Sequence, residues 1–247
     1  MLAIEAANSP DFDARMRHLL PAESVAAIED ITDYFVILTN RSKRPLVAYT
    51  VKFSLEHSDG TAHVIYTRFW EPLYALLGGA SVTLSSDVLL PGMVKITSMG
   101  LTLHSVDFSE LDVIAAYYGQ LKELNLNTVT SVSIKLDCAI DNEWFTSGED
   151  AGKTIEQFQS CVEAARGVLR DIVKSFDGGQ HLPEILDGVK TRSEELRKHR
   201  PTPPTQRYRV NAIADIRRVA NRVNAIQFEE PVRIASNSAS PQTRRVQ

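Results

Sequence analysis

Alternation of apolar and polar positions dominates the first 150 residues of the chain. From Leu46 to His57, Val47, Tyr49, Val51, Phe53 and Leu55 share one face, while Ala48, Thr50, Lys52, Ser54 and Glu56 share the other. Successive side chains of a strand point to opposite faces, so period two with one polar face predicts a half-buried strand. The run Tyr34–Thr39 before it is β-branched and aromatic, and the polar Asn40–Pro45 reads as the turn between them. Asp59-Gly60 predicts a tight hairpin, because the favoured two-residue turns need positive φ. Its return strand is Ala62–Phe69. Ser81–Leu90 and Met93–Met99 read as two further strands about Pro91-Gly92, where proline presets the first turn dihedral and glycine takes the positive one. Val129–Ile140 alternates again, with Val132, Ile134, Leu136 and Cys138 against Ser131, Ser133, Lys135 and Asp137. Asp141-Asn142 then turns into a short return at Trp144-Phe145.

Helical spacing interrupts this pattern in four regions. Phe12, Met16, Leu19 and Leu20 predict a short helix that Pro21 stops. The apolar Trp70–Gly79 breaks strand rhythm and predicts a loop or single helical turn across one end. Leu111, Ile114, Ala115, Tyr118 and Leu121 predict an inserted helix within Ser105–Leu124, with Ser109 as its cap and Asp112 three residues on. After Gly148, the residues Ile155, Phe158, Val162, Ala165, Leu169, Ile172 and Phe176 follow a 3-4 heptad seam. Asp177-Gly178-Gly179 ends that helix. A second helix is expected over Pro183–His199. The Pro201-Thr202-Pro203-Pro204 linker separates it from a third, over Arg207–Phe228, whose stripe is Ile213, Ile216, Ala220, Val223 and Ile226. The expected fold is mainly β. An N-terminal segment covers 1–30. An immunoglobulin-like antiparallel β-sandwich with the inserted helix covers 31–147. A C-terminal helical extension covers 148–230, and a disordered basic tail covers 231–247.

Composition adds an asymmetry of charge. Residues 190–247 hold 13 Lys and Arg against 5 Asp and Glu, while residues 1–189 hold 14 against 26. An acidic body with a basic tail fits tail–body contact or a tail aimed at an acidic partner. No apolar run reaches the roughly 18 residues of a membrane helix. The first twenty residues lack the apolar stretch of a signal peptide, so the chain as it stands reads as cytoplasmic, or as periplasmic or extracellular if it is truncated at that end. The two cysteines, Cys138 and Cys161, are too few for a disulfide framework and lack zinc-site spacing, so both read as buried thiols.

The search for chemistry yields no catalytic, cofactor-binding or metal-binding residue. Gly148-Glu149-Asp150-Ala151-Gly152-Lys153-Thr154 looks like a phosphate-binding loop but is one residue short of it, and its two carboxylates would repel phosphate. Acids at a helix N-terminus, favoured by the helix dipole, explain the stretch better. The six histidines are scattered, although His57 and His63 flank the Asp59-Gly60 hairpin and are placed to face each other. Asp137 and Asp141 bracket a strand end in a spacing that lacks the features of a calcium loop. The Ile155–Phe176 seam could pack in cis or pair with a second chain. Arg217, Arg218 and Arg222 lie off the third helix's stripe without the interleaved aromatics of a nucleic-acid surface, so nucleic acid is not the expected partner.

The run Val36–Ser42, continuing through Pro45–Val51, resembles uncharacterised bacterial proteins in which an LTN-x-S turn opens an immunoglobulin-like sandwich. The late strand Val132–Ile140, with its acidic turn and following long helix, is similar to the same group. The resemblance covers about residues 32–176 and implies a fold, with no activity or site to carry over. The functional expectation is therefore a non-enzymatic binding or interaction protein. It would use the sandwich and the C-terminal amphipathic helices, with a protein partner or self-association through the 155–176 helix. The alternatives are an enzyme with a site assembled from separated loops, near Trp70–Gly79 and His104, or a surface structural protein without its leader.

Overall fold

The computed structural model describes residues 2–77, 88–99 and 126–198, together with 212, 213, 216, 232, 233, 235, 236, 244 and 245. The expected inserted helix, the start of the Ser81–Leu90 strand, His104 and most of the third C-terminal helix lie outside the described residues.

Two sheets organise the chain. The smaller contains β1 (Leu2–Ala6), β2 (Phe35–Asn40) and β5 (Val94–Ser98) in the order β1-β2-β5, all antiparallel. The larger has the order β4-β3-β6-β7, from β3 (Leu46–His57), β4 (Ala62–Trp70), β6 (Val129–Asp141) and β7 (Phe145–Gly148), again antiparallel. A two-residue strand, β8 (Arg244–Arg245), is added parallel to β7. Helices α1 (Phe12–Leu19) and α2 (Ala22–Ala27) and a 3-10 turn at Glu29–Tyr34 link β1 to β2. Helix α3 (Pro72–Leu77) follows β4, a second 3-10 turn at Leu126–Thr128 precedes β6, and α4 (Thr154–Asp177) and α5 (Leu182–Lys198) follow β7.

The alternation read in the sequence sets the register. Val51, Phe53 and Leu55 of β3 lie opposite Leu136, Ile134 and Val132 of β6, and opposite Thr67, Ile65 and His63 of β4. This face joins Val36, Ile37 and Leu38 of the small sheet, and Phe12 and Met16 of α1, in one apolar cluster. The ring of Tyr49 stacks on Phe69 at 4.9 Å within it. The other face of β3 and β6 carries Ala48, Cys138 and Ile140, which meet Phe158 and Val162 of α4. Leu46 to Val51 are all buried, because this half of β3 is covered on both faces. The far half turns Lys52, Ser54 and Glu56 toward solvent.

The heptad seam packs in cis. Its first residues, Ile155, Phe158 and Val162, lie on the large sheet. Ala165, Leu169 and Ile172 join Leu73 of α3, Ile185 of α5, and Ile213, Ile216, Val232 and Ala235 in a third cluster. Each buried aliphatic side chain there contributes about 1.5–3 kcal/mol, so the sheet and its helical neighbours hold α4 without a second chain. The expectation of a mainly β chain is corrected on this point. Helices make up as much of the molecule as strands, and they cover one face of the large sheet. The result is a mixed α/β arrangement of two antiparallel sheets plus helices, not a clearly closed sandwich. The segment expected to be a short N-terminal helix also begins with a strand, β1, before α1.

Candidate functional site

The shortness of β7 leaves one side of β6 open along a groove among the described residues. After β6 the chain reverses at Asp141, whose Oδ1 accepts the N–H groups of Glu143 (2.9 Å) and Phe145 (3.0 Å). Arg44 holds the other carboxylate oxygen at 3.2 Å and packs its guanidinium 4.7 Å from the centre of the Phe145 ring. Strand β7 then pairs with β6 only over Cys138–Ile140 and leaves at Gly148. Gly148 has φ +104, and a Cβ there would lie 2.2 Å from the Asp137 carbonyl oxygen, so only glycine can make this exit.

Asp137 is the reason the chain turns away. Thr50 pairs with Cys138 and Val51 with Leu136, so Asp137 is the extra residue of a β-bulge. The bulge aims its buried carboxylate at the loop before α4, where it accepts the N–H groups of Ala151 and Gly152, both at 3.0 Å. Its carbonyl accepts the Asp150 N–H at 3.0 Å. Asp150 in turn accepts the N–H groups of Thr154 (2.6 Å) and Ile155 (3.2 Å) at the start of the helix. The stretch that looks like a phosphate loop therefore already holds an anion, the protein's own Asp137. The backbone donors of Ala151 and Gly152 are spent on that carboxylate.

With β7 gone, no described strand pairs with β6 on that side from Val129 to Leu136. Alternate residues there turn their backbone N–H and C=O groups outward. A groove of about 460 Å³ runs along this edge. One wall is β6 from Val129 to Lys135; the other is Ala6, Ala7 and Asn8 at the end of β1, with Asp33 and Tyr34 from the 3-10 turn. The Tyr34 ring is buried, and its hydroxyl has no hydrogen-bond partner among the described residues. Burial, reinforced by the neighbouring Asp33 carboxylate, pushes the Tyr34 phenol above its ordinary range, so it keeps its proton at neutral pH. Bulges at Thr130 and Asp137 bracket the open stretch, and Lys135 stands on it. These features discourage indiscriminate strand pairing at this edge.

The other residues singled out in the sequence have structural employment. The His57 and His63 rings do face each other across the hairpin, with centroids 4.8 Å apart, and His57 Nδ1 lies 2.7 Å from Thr128 Oγ1. Asp137 and Asp141 serve separate turns and do not converge. Cys138 and Cys161 are both buried, and neither is in a disulfide. Of Trp70–Gly79, one of the places considered for an enzyme site, Trp70 ends β4 and Pro72–Leu77 form α3, whose Leu73 and Tyr74 are buried against α4 and its neighbours; residues 78 and 79 lie outside the described residues. Among the described residues, no three His, Cys, Asp or Glu side chains are grouped to hold a metal ion. No described helix is long and apolar enough to cross a membrane.

Comparison with protein-family models, curated proteins and solved structures finds no match to this chain.

Sequence reasoning missed the groove because its walls are far apart along the chain. Val132 and Ile134 were legible as one face of a strand. Nothing local marks that strand as unpaired on one side, or places Tyr34 and Ala7 beside it. The available signal was the brevity of the run after Trp144, which cannot cover a strand as long as β6.

Proposed function

We propose that this chain is a non-enzymatic binding protein that takes an extended segment of a protein partner onto the open edge of β6. The observation that carries this reading is the unpaired stretch Val129–Leu136 bordered by a walled groove. A strand added there gains main-chain hydrogen bonds for affinity, and its alternate side chains enter the groove for selectivity. This reading puts the partner at the sheet edge rather than on the 155–176 helix, whose seam is filled from within the chain. The finer reading of the fold belongs to the same proposal. The two sheets share one interior in the manner of an immunoglobulin-like sandwich, as in the bacterial proteins that the LTN-x-S turn resembles.

The test is selection of displayed ten-residue peptides on the full chain, followed by hydrogen exchange. Selected peptides are expected to slow exchange at alternate amides between Val129 and Leu136. They are also expected to lose binding to Ala7→Trp, which fills the groove. Protection confined to another surface, with binding indifferent to Ala7→Trp, overturns the proposal.

A further inference from the structure

We infer that the segment accepted at this edge is basic, and that one of its lysine or arginine side chains enters the groove between Tyr34 and Asp33. This rests on the strand-edge reading above and adds the partner's chemistry to it.

Tyr34 is 7% exposed, lines the groove, and presents a protonated hydroxyl that no described residue engages. The hydroxyl is the end of this side chain that reaches the groove, so its donor and acceptor capacity is open to a ligand atom there. Its oxygen can accept from an ammonium or guanidinium while its proton is donated to a peptide carbonyl. Asp33 adds a carboxylate beside it, and the Asp33 charge is one cause of the raised Tyr34 phenol. Asp30 lies three residues earlier on the same 3-10 turn. Residues three apart eclipse there, so the two carboxylates share a face. The whole stretch from Pro21 to Tyr34 carries Glu23, Glu29, Asp30 and Asp33 and no Lys or Arg. No described Lys or Arg pairs with Asp30 or Asp33.

Among the described residues, Lys135 is the one cation in the groove lining. It lies between Ile134 and Leu136, which turn toward the shared core, and it is exposed opposite Lys52 on the other face of the sheet. The acidic side of the groove therefore faces the inward side chains of an added strand, and Lys135 faces the outward ones. The chain supplies a precedent for the occupant. Arg244–Arg245, an extended basic segment, already pairs with β7 in the same sheet.

The experiment uses the full chain and three blocked, fluorescein-labelled nine-residue peptides of alternating Val and Thr, with Arg, norleucine or Glu at the centre. Anisotropy gives affinity, and hydrogen exchange gives location. The Arg peptide is expected to bind about tenfold tighter than the norleucine peptide, and the Glu peptide more weakly than either, as a charge-assisted hydrogen bond implies. Asp33→Asn, at an exposed position outside the core, is expected to cut the preference for Arg over norleucine to about threefold or less. Tyr34→Phe is expected to weaken all three peptides. Equal binding of the three, with protection at 129–136, overturns the basic partner and leaves the strand edge standing. No binding by any peptide, or protection elsewhere only, overturns both.

Discussion

Asn40 shows how much a single side chain organises here. It is fully buried, and its amide donates to the carbonyls of Arg44 (2.8 Å) and Leu89 (2.7 Å). Its oxygen accepts the Ser42 N–H at 2.9 Å and the Ser42 hydroxyl at 2.7 Å. This is the physical content of the LTN-x-S pattern: one amide closes the β2–β3 turn and ties it to Leu89, which bridges to Leu46. Asn40→Ala would leave two carbonyls without these donors, at about 1–3 kcal/mol for each buried group left unsatisfied. We expect urea unfolding of Asn40→Ala to show a loss of about 2–4 kcal/mol at unchanged slope. Tyr34 makes a separate prediction by titration. Its phenol is raised in the folded state, so the fold favours the protonated form. That contribution is fully present below the unfolded value of about 10 and is lost as pH rises through the folded value. The stability difference between wild type and Tyr34→Phe should therefore be flat from pH 7 to 9. It should shift against the wild type above about pH 10, as read by thermal melts.

At the scale of elements, the decisive junction is where β7 hands over to α4. Gly148→Ala would set a Cβ against the Asp137 carbonyl at 2.2 Å and force a side chain into φ +104. A loss of about 2–4 kcal/mol is expected by chemical denaturation, with faster exchange of the Ala151 and Gly152 amides, since a strained φ and a displaced bulge add. Unchanged exchange at those two amides would contradict the role given to Asp137. This junction also marks the limit of what the sequence discloses. Strands β3, β4 and β6, the Asp59-Gly60 turn and the two long helices follow from periods of two and 3.6, because each buries one face. Strand β1 was hidden: five residues alternate too briefly to outweigh the helical spacing that starts at Phe12. The bulge at Asp137 was hidden as well, because the alternation of β6 reads as regular until its partner residues are known. The groove depends on that bulge and on contacts between residues about a hundred positions apart, so local pattern carried no trace of it.

The charge asymmetry of the whole molecule acquires a concrete form. Arg233 pairs with Asp177 at 2.7 Å, and Arg170 Nε donates to the Ser236 carbonyl at 3.0 Å. Val232 and Ala235, in the stretch expected to be a disordered tail, are fully buried against the helices. The contact is thus more apolar than electrostatic, since an exposed ion pair contributes only about 0–1 kcal/mol. Deleting residues 231–247 is expected to lower the melting temperature measurably, because it uncovers the cluster around Leu169 and Ile185. Adding 0.5 M salt, roughly enough to screen exposed pairs, is expected to reproduce little of that fall. If salt alone gave the same drop, charge rather than burial would hold the tail.

Asp137 belongs to two places at once. Its main chain is part of the strand that offers the open edge, and its carboxylate fastens the entrance of α4. A visitor lying along that edge would steady the ribbon on which this fastening sits. The far side of the molecule would register the visit as a stiffer first turn of α4, with no ligand atom coming near it.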